Sequence, residues 1–169
     1  MLQRDTAWSK ALRLEEGRPL LRAIAAVLAH SGDSWFWGLG LLVVAFTGSP
    51  GARVVSLRTL AAIAALAAVV LAIKLLIRRR RPEGEWGAIY RTTDPHSFPS
   101  GHAARAVLLA VLASGWGPPW LAIVLAVWAP LVAVSRVAMG LHYLSDVVGG
   151  AILGLVAGGV TLAVVSAFG

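Results

Sequence analysis

The stretch Ser-Arg-Val-Ala-Met-Gly-Leu-His-Tyr-Leu-Ser-Asp, residues 135–146, puts an arginine, a histidine and an aspartate into a chain dominated by Ala, Val, Leu and Gly. Burying such groups in hydrocarbon is expensive unless they pair or do chemistry. His142 and Asp146 stand one helical turn apart. That spacing lets the carboxylate hold one imidazole nitrogen and leaves the other free as a nucleophile or base. Lys74, Arg78 and Arg81 are spaced i, i+4, i+7, which predicts one shared helix face, and Arg81 precedes Pro82, which ends the helix. His102 is a second imidazole, fitted to act as a general acid. Gly101 beside it lets backbone N–H groups approach an oxyanion, and the helix that starts there adds the positive end of its dipole. Arg136 offers a planar fork matched to phosphate oxygens. Cations, two histidines and one carboxylate compose a phosphoryl-transfer site that needs no metal.

Each of these has a plainer reading. The Arg78–Arg81 run is most often a topogenic charge block, Lys74 can snorkel from its helix, and a His-x3-Asp pair is often a structural hydrogen bond. His96 reads as a loop residue, His30 as interfacial, and the tryptophans as belt residues. Zinc is not expected, because the spacing lacks an HExxH form and the neighbouring cations repel a dication. What separates the readings is whether the elements bring these residues together.

The elements follow from apolar runs. Residues 1–18 mix Trp8, Leu12 and Leu14 with Arg4, Lys10, Arg13, Glu15 and Glu16, a pattern that suits an interfacial helix. Residues 19–30 are short and carry Arg22, so they are interfacial or the start of a broken span. Spans are expected at 35–46, 55–77, 120–139 (with a kink at Pro130) and 143–168, with a shorter helix over 100–115. Residues 47–53 and 78–99 read as loops, and "WGPPW" as a turn. The expected fold is therefore an all-α integral membrane bundle of five spans, or six if 19–30 crosses. Its parts are an amphipathic interfacial segment over 1–34 and a transmembrane bundle over 35–169, with a catalytic loop at 78–101. Tracing the spans alternately across the membrane delivers Lys74 and Arg81, Ser100–His102, Ser135–Arg136 and His142–Asp146 to one face. Connectivity alone gives that convergence.

Composition agrees with a membrane location. The chain of 169 residues is 58% hydrophobic and 14% charged, against about 25% charged in an average soluble protein. The net charge of +7 lies beside the apolar spans, where topology and anionic lipid or phosphate account for it better than nucleic acid. There is no cysteine, so disulfides and thiolate metal sites are excluded. The first thirty residues carry charge throughout, so no cleavable signal peptide is expected.

The residues resemble the type 2 phosphatidic acid phosphatases, a superfamily that also holds the vanadium haloperoxidases. "KLLIRRRRP" (74–82), "PSGH" (99–102) and "SRVAMGLHYLSD" (135–146) match its three-part signature in order and spacing. The resemblance implies a helical, metal-free and cofactor-free phosphatase in which His142 is the nucleophile, Asp146 orients it and His102 protonates the leaving oxygen. It implies phosphate contacts from Lys74, Arg81, Ser100, Gly101 and Arg136, with Pro99 and Ser135 in support. Arg78 lies outside the signature and is at most a helper. Many membrane members carry an additional N-terminal span that is not expected here.

The expected substrate is a lipid phosphate or pyrophosphate: a polyprenyl phosphate or diphosphate, phosphatidylglycerophosphate, phosphatidic acid or a phosphorylated sugar lipid. Two alternatives are a phosphotransferase that uses an acceptor alcohol and, from another class, a transporter for phosphate-like anions, which has no need of a His–Asp pair. Haloperoxidase chemistry is disfavoured in a membrane-bound chain. The expected location is the cell (inner) membrane. Arg4, Lys10, Arg13, Arg18, Arg22, Arg78, Arg79, Arg80 and Arg91 against Arg53 and Arg58 put the catalytic face in the cytoplasm. The oligomeric state is left open.

Overall fold

The computed structural model describes residues 2–14, 17–83 and 93–168. Glu15, Glu16, Arg91 and residues 84–92 of the expected catalytic loop lie outside the described residues. The described residues form helices α1 (Leu2–Ala11), α2 (Pro19–Ser31), α3 (Ser34–Thr47), α4 (Pro50–Ile77), α5 (Gly101–Trp116), α6 (Pro119–Ala138) and α7 (Leu144–Phe168). Three of them, α4, α6 and α7, are long and apolar enough to cross a membrane. At about 1.5 Å per residue, α4 alone exceeds the ~30 Å hydrocarbon core. Helices α3 and α5, of 14 and 16 residues, are shorter.

Local sequence explains the boundaries, and in one place corrects the expectation. Residues 47–53 are not a loop: only Gly48 and Ser49 separate α3 from α4. Ser49 caps α4, its Oγ accepting from Ala52 N at 3.3 Å, and Pro50 takes a first-turn position where no N–H is needed. The Gly and Pro that suggested a loop are a helix start. Pro118 and Pro119 open α6 in the same manner, and α6 continues through Pro130 to Ala138.

Antiparallel packing places α5 at the centre. Its Ala103, Ala104, Ala106, Leu108 and Leu112 are buried. Ala104, Leu108 and Leu112 meet Ala62, Leu66 and Val70 of α4, and Ala106 meets Ala129 and Val132 of α6. The closest approach is to α7, where Gly150, Gly154 and Gly158 lie one turn apart on the buried face. A Cβ added at Gly150 would lie 2.4 Å from Ser100 O, and one at Gly154 2.1 Å from Ala104 O. Only glycine lets these backbones approach so closely. The outward faces carry Leu39 and Phe46, Leu57 and Leu76, Val127, Ile152 and Val160, all more than half exposed. A molecule that is apolar outside and polar at one buried end is built for lipid.

The N-terminal helices pack at that polar end. Ala25 and Ala29 of α2 cluster with Met139 and Leu141, just beyond α6. With 13 residues, α2 spans about 20 Å, short of a crossing. Helix α1 lies against the start of α7, where Leu144 N donates to Ser9 Oγ at 2.8 Å.

Candidate active site

Four chain segments meet at the end of the bundle. Lys74, in the last turn of α4, is 6% exposed. The helix then ends at Arg78, which turns left-handed (φ 51°) and donates Nε–H to Leu75 O at 2.8 Å. Arg78 is exposed and points back along its own helix, so the structure does not bring it to the cluster. The expected shared face of Lys74, Arg78 and Arg81 also fails, because the helix stops before Arg81. An extended segment carries Arg81 inward instead. Arg81 is 6% exposed, and its Nη1 donates to Leu141 O at 2.9 Å and lies 3.1 Å from His142 Nε2.

His142 sits in the turn between α6 and α7, 1% exposed. Gly140, at φ 69°, makes that turn possible, and Leu141 and His142 donate their N–H groups back to Arg136 O. Burial first, then the charges of Arg81, Arg136 and Lys74, hold the imidazole well below its ordinary value. It is therefore neutral at pH 7. An Arg81 N–H directed at Nε2 requires a lone pair there, which puts the proton on Nδ1. Nδ1 faces Asp146 Oδ2 at 3.5 Å, one turn along as the spacing requires. Asp146 is fully buried and accepts from Tyr143 N at 2.9 Å through Oδ2.

Asp146 has a further partner that sequence reasoning did not assign. Arg79 Nη1 donates to Asp146 Oδ1 at 2.8 Å, and Arg79 Nη2 to Asp5 Oδ2 of α1 at 2.6 Å. The guanidinium lies over the Tyr143 ring, 4.0 Å from its centroid. Ser145 ties the same carboxylate, donating from N and Oγ to Asp5 at 3.1 and 2.5 Å. Burial would raise the Asp5 carboxyl, but the hydrogen bonds from Arg79 and Ser145 outweigh it and hold it below the usual range. Arg79 is thus not merely part of a charge block: it neutralises a buried carboxylate and fastens α1 to α7.

The cations meet on one carboxylate. Asp94 Oδ2 accepts from Lys74 Nζ and, at 2.7 Å, from Arg81 Nη2, while Asp94 O accepts from Arg81 Nε at 2.6 Å. Burial works to raise the Asp94 carboxyl, but Lys74 and then Arg81 hold it below the usual range. No motif marked Asp94; its only signal is that of an acid in a basic loop.

The second histidine comes from α5. Ser100 caps that helix, its Oγ accepting from Ala103 N at 3.4 Å, and Ser100 N donates to Asp146 O at 2.9 Å. Ser100 is fully buried and follows Pro99, which is joined to Phe98 by a cis peptide bond. Ser135 donates Oγ–H to Val132 O at 2.7 Å within α6, whereas the neighbouring Arg136 is fully buried. Its charge is felt at both His142 and Arg81. His102 Nε2 meets Asp33 Oδ1 at 2.7 Å, a partner from the α2–α3 turn that sequence reasoning did not assign. Arg105, one turn after His102, donates Nε–H to Gly32 O at 3.0 Å and Nη1–H to Ser34 Oγ at 2.5 Å.

A cavity of about 300 Å³ opens on this cluster. Lys74, Asp94, Gly101, His102, Arg105 and His142 are among the residues at its polar end, and Ile63, Leu66, Ala67, Val70 and Leu71 of α4 form its apolar wall. From Lys74 to Ile63 the apolar wall runs about three helical turns into the bundle. An anionic headgroup and an apolar tail fit these two ends.

A family model described as the PAP2 superfamily matches residues 56–169. The chain is 35% identical over 150 residues to a decaprenylphosphoryl-5-phosphoribose phosphatase of Mycobacterium tuberculosis, covering 85% of this chain and 80% of the relative. It is 33% identical over 136 residues to the enzyme of the same name from Mycolicibacterium smegmatis, covering 79% and 73% of the two chains. Among solved structures, a transmembrane PAP2-type phosphatidylglycerolphosphate phosphatase from Bacillus subtilis superposes with a TM-score of 0.76 at 26% identity, covering 99% of this chain and 87% of that one. Aquifex aeolicus LpxE superposes at 0.70 and 24% identity, covering 86% and 87%, a likeness of fold.

Proposed function

The chain belongs to the PAP2 superfamily, and on that premise we propose that it is a membrane phosphatase that releases phosphate from a lipid-anchored ester through a phosphohistidine. The observation that carries the reading is the grip of Lys74 and Arg81 on one carboxylate beside the neutral, buried His142. A site that binds an anion next to an imidazole lone pair is arranged for in-line attack on phosphorus.

In this reading the phosphate takes the position that Asp94 occupies, held by Lys74, Arg81 and Arg136 and by the N–H groups opening α5 at Ser100 and Gly101. His142 Nε2 attacks, and the N–P bond forms as the ester P–O bond breaks. The leaving oxygen takes a proton from His102, and the proton on His142 Nδ1 is stabilised by Asp146. Water then attacks the phosphohistidine with His102 as base, freeing phosphate and restoring both imidazoles. Because cations and backbone donors make every phosphate contact, no metal is required. Clustered charge is what so slow an uncatalysed reaction demands.

The apolar wall along α4 supports a substrate whose tail stays among the helices. The mycobacterial relatives are named for a polyprenyl-linked sugar phosphate and the Bacillus relative for phosphatidylglycerolphosphate. Phosphates of these two kinds head the substrate panel, ahead of soluble esters. Residues 1–34 serve as the interfacial segment on the same surface, the location is the cell membrane, and the basic bias places the site on the cytoplasmic side.

The test is phosphate release by the purified protein from polyprenyl-linked phosphates, phosphatidylglycerophosphate, phosphatidic acid and glucose 6-phosphate, with EDTA, vanadate and an acceptor alcohol as further arms. Release from lipids in EDTA, blocked by vanadate, is expected. Loss on chelation restored by magnesium, or equal kcat/KM on the soluble ester, would overturn the reading. Transfer to the alcohol in place of water would make the chain a phosphotransferase.

A further inference from the structure

The N-terminal third of the chain contributes to the site through a residue that no motif contains. Asp33 Oδ1 lies 2.7 Å from His102 Nε2, and Asp33 Oδ2 lies 3.2 Å from Nδ1 of His30, whose side chain is half exposed. The carboxylate is ionised: the hydrogen bond from His102 above all, helped by His30, holds it below the usual range against the effect of burial. The turn that carries it is itself fixed. Arg105, one turn after His102 on α5, is buried and holds Gly32 O and Ser34 Oγ on either side of Asp33. A Cβ added at Gly32 would lie 3.3 Å from His102 Cδ2, so the turn rests on the Cδ2–Nε2 edge of the ring. His102 also lines the cavity, and with one edge against the turn, the Nδ1–Cε1 edge is left for it.

We propose that Asp33 is a positioning residue for His102: by accepting from Nε2–H it aims Nδ1 at the leaving oxygen and favours the protonated imidazole. The molecule thus has two carboxylate–imidazole pairs of opposite purpose. Asp146 serves an imidazole that must be neutral to attack, and Asp33 serves one that must be protonated to give its proton away. In the first step the proton moves from His102 Nδ1 to the ester oxygen, which takes the P–O electron pair. In the second, Nδ1 takes a proton from water as the O–P bond forms and the N–P bond breaks. Asp33 remains a carboxylate in both.

This inference rests on the phosphatase reading, and the experiment separates the two. The full-length protein and its Asp33→Asn, Asp33→Glu, His102→Asn and Asp33→Asn/His102→Asn variants are assayed on a lipid phosphate and on nitrophenyl phosphate, whose leaving group needs little protonation. Asp33→Asn is expected to lower kcat on the lipid about ten- to a hundredfold, part of the ~10²–10⁴-fold that a positioned general acid contributes. The effect on nitrophenyl phosphate is expected to be severalfold at most, with KM unchanged. Asp33→Glu should recover part of the lipid rate, and Asp33→Asn should add nothing in the His102→Asn background. Equal losses on both substrates, or a further loss in that background, would make Asp33 a structural residue and overturn the proposal, as would a lipid rate in Asp33→Asn equal to wild type. If Asp33→Asn does not fold, a Glu variant that folds with no preference between the substrates overturns it as well. Failure of wild type to release phosphate from any lipid, or full activity in His142→Asn, refutes the phosphatase reading instead.

Discussion

Replacing Gly154 by alanine sets two effects of opposite sign against each other. In a helix interior, alanine is favoured over glycine by about 1 kcal/mol. At Gly154, however, the new Cβ would stand 2.1 Å from Ala104 O and 3.0 Å from Ala104 C, both of them backbone. Restoring ordinary contact, which begins at 3.4 Å, requires α5 and α7 to part by about 1.3 Å. Overpacking of this kind costs about 1–3 kcal/mol. The displacement also reaches the chemistry, because α7 carries Asp146 and α5 carries His102, and Ser100 N holds Asp146 O between them at 2.9 Å. A misplacement of about 1 Å between reacting groups costs on the order of a hundredfold in rate. Gly159 is the control: a Cβ there meets nothing within 4 Å, so Gly159→Ala has only the helix-propensity gain. Thermal unfolding in detergent and kcat/KM on a lipid phosphate are measured for both. Gly159→Ala should equal or exceed wild type in stability with an unchanged rate. Gly154→Ala should fall about 1–3 kcal/mol below it, at roughly 2–4 °C for each kcal/mol, with a rate loss of tens- to a hundredfold. Indistinguishable variants would refute the claim that the glycine face of α7 sets the spacing of the site.

Arg79→Met should destabilise the protein by about 3–5 kcal/mol and nearly abolish turnover, because it leaves Asp146 buried without its countercharge. Arg80→Met, at an exposed neighbour, should change little, and equal effects would return Arg79 to the charge block. Asp94→Asn should tighten vanadate inhibition about tenfold, the equivalent of one charged hydrogen bond no longer competing for Lys74 and Arg81; weaker inhibition would make Asp94 a support of the cradle and not its occupant. Because the Asp5 carboxyl is depressed in the fold, its anchoring of α1 is complete above the unfolded value near pH 4 and is lost as pH falls through the folded value. A fluorophore on Lys10→Cys, the sole cysteine in that variant, should report α1 fixed at pH 5–8 and released only below about pH 4; release near pH 6 would point to a histidine instead.

The sequence alone determined the membrane bundle and the end at which its chemistry gathers. Apolar runs set α4, α6 and α7, and the reversal of direction between successive helices brings Lys74, His102, Arg136 and His142 to one end of the bundle. The His142–Asp146 pairing was legible as well, because one helical turn is a local geometry. What tertiary structure decided is everything that depends on contacts between distant segments. Arg78 leaves the cluster because α4 ends in a left-handed residue, a backbone choice that the run of arginines does not encode. Arg79, its neighbour of the same type, becomes the partner of Asp146 only because the segment after α4 runs over the start of α7, where α1 supplies Asp5 as well. Asp33 and Asp94 are ordinary turn and loop acids in the sequence. They become the partners of His102 and of the cation cradle because the α2–α3 turn packs on Arg105 and the loop before α5 folds over Lys74. Hydrophobic periodicity reports which face of a helix is buried. It is silent about which buried charge meets which, and at a membrane end crowded with cations that matching decides what each residue does.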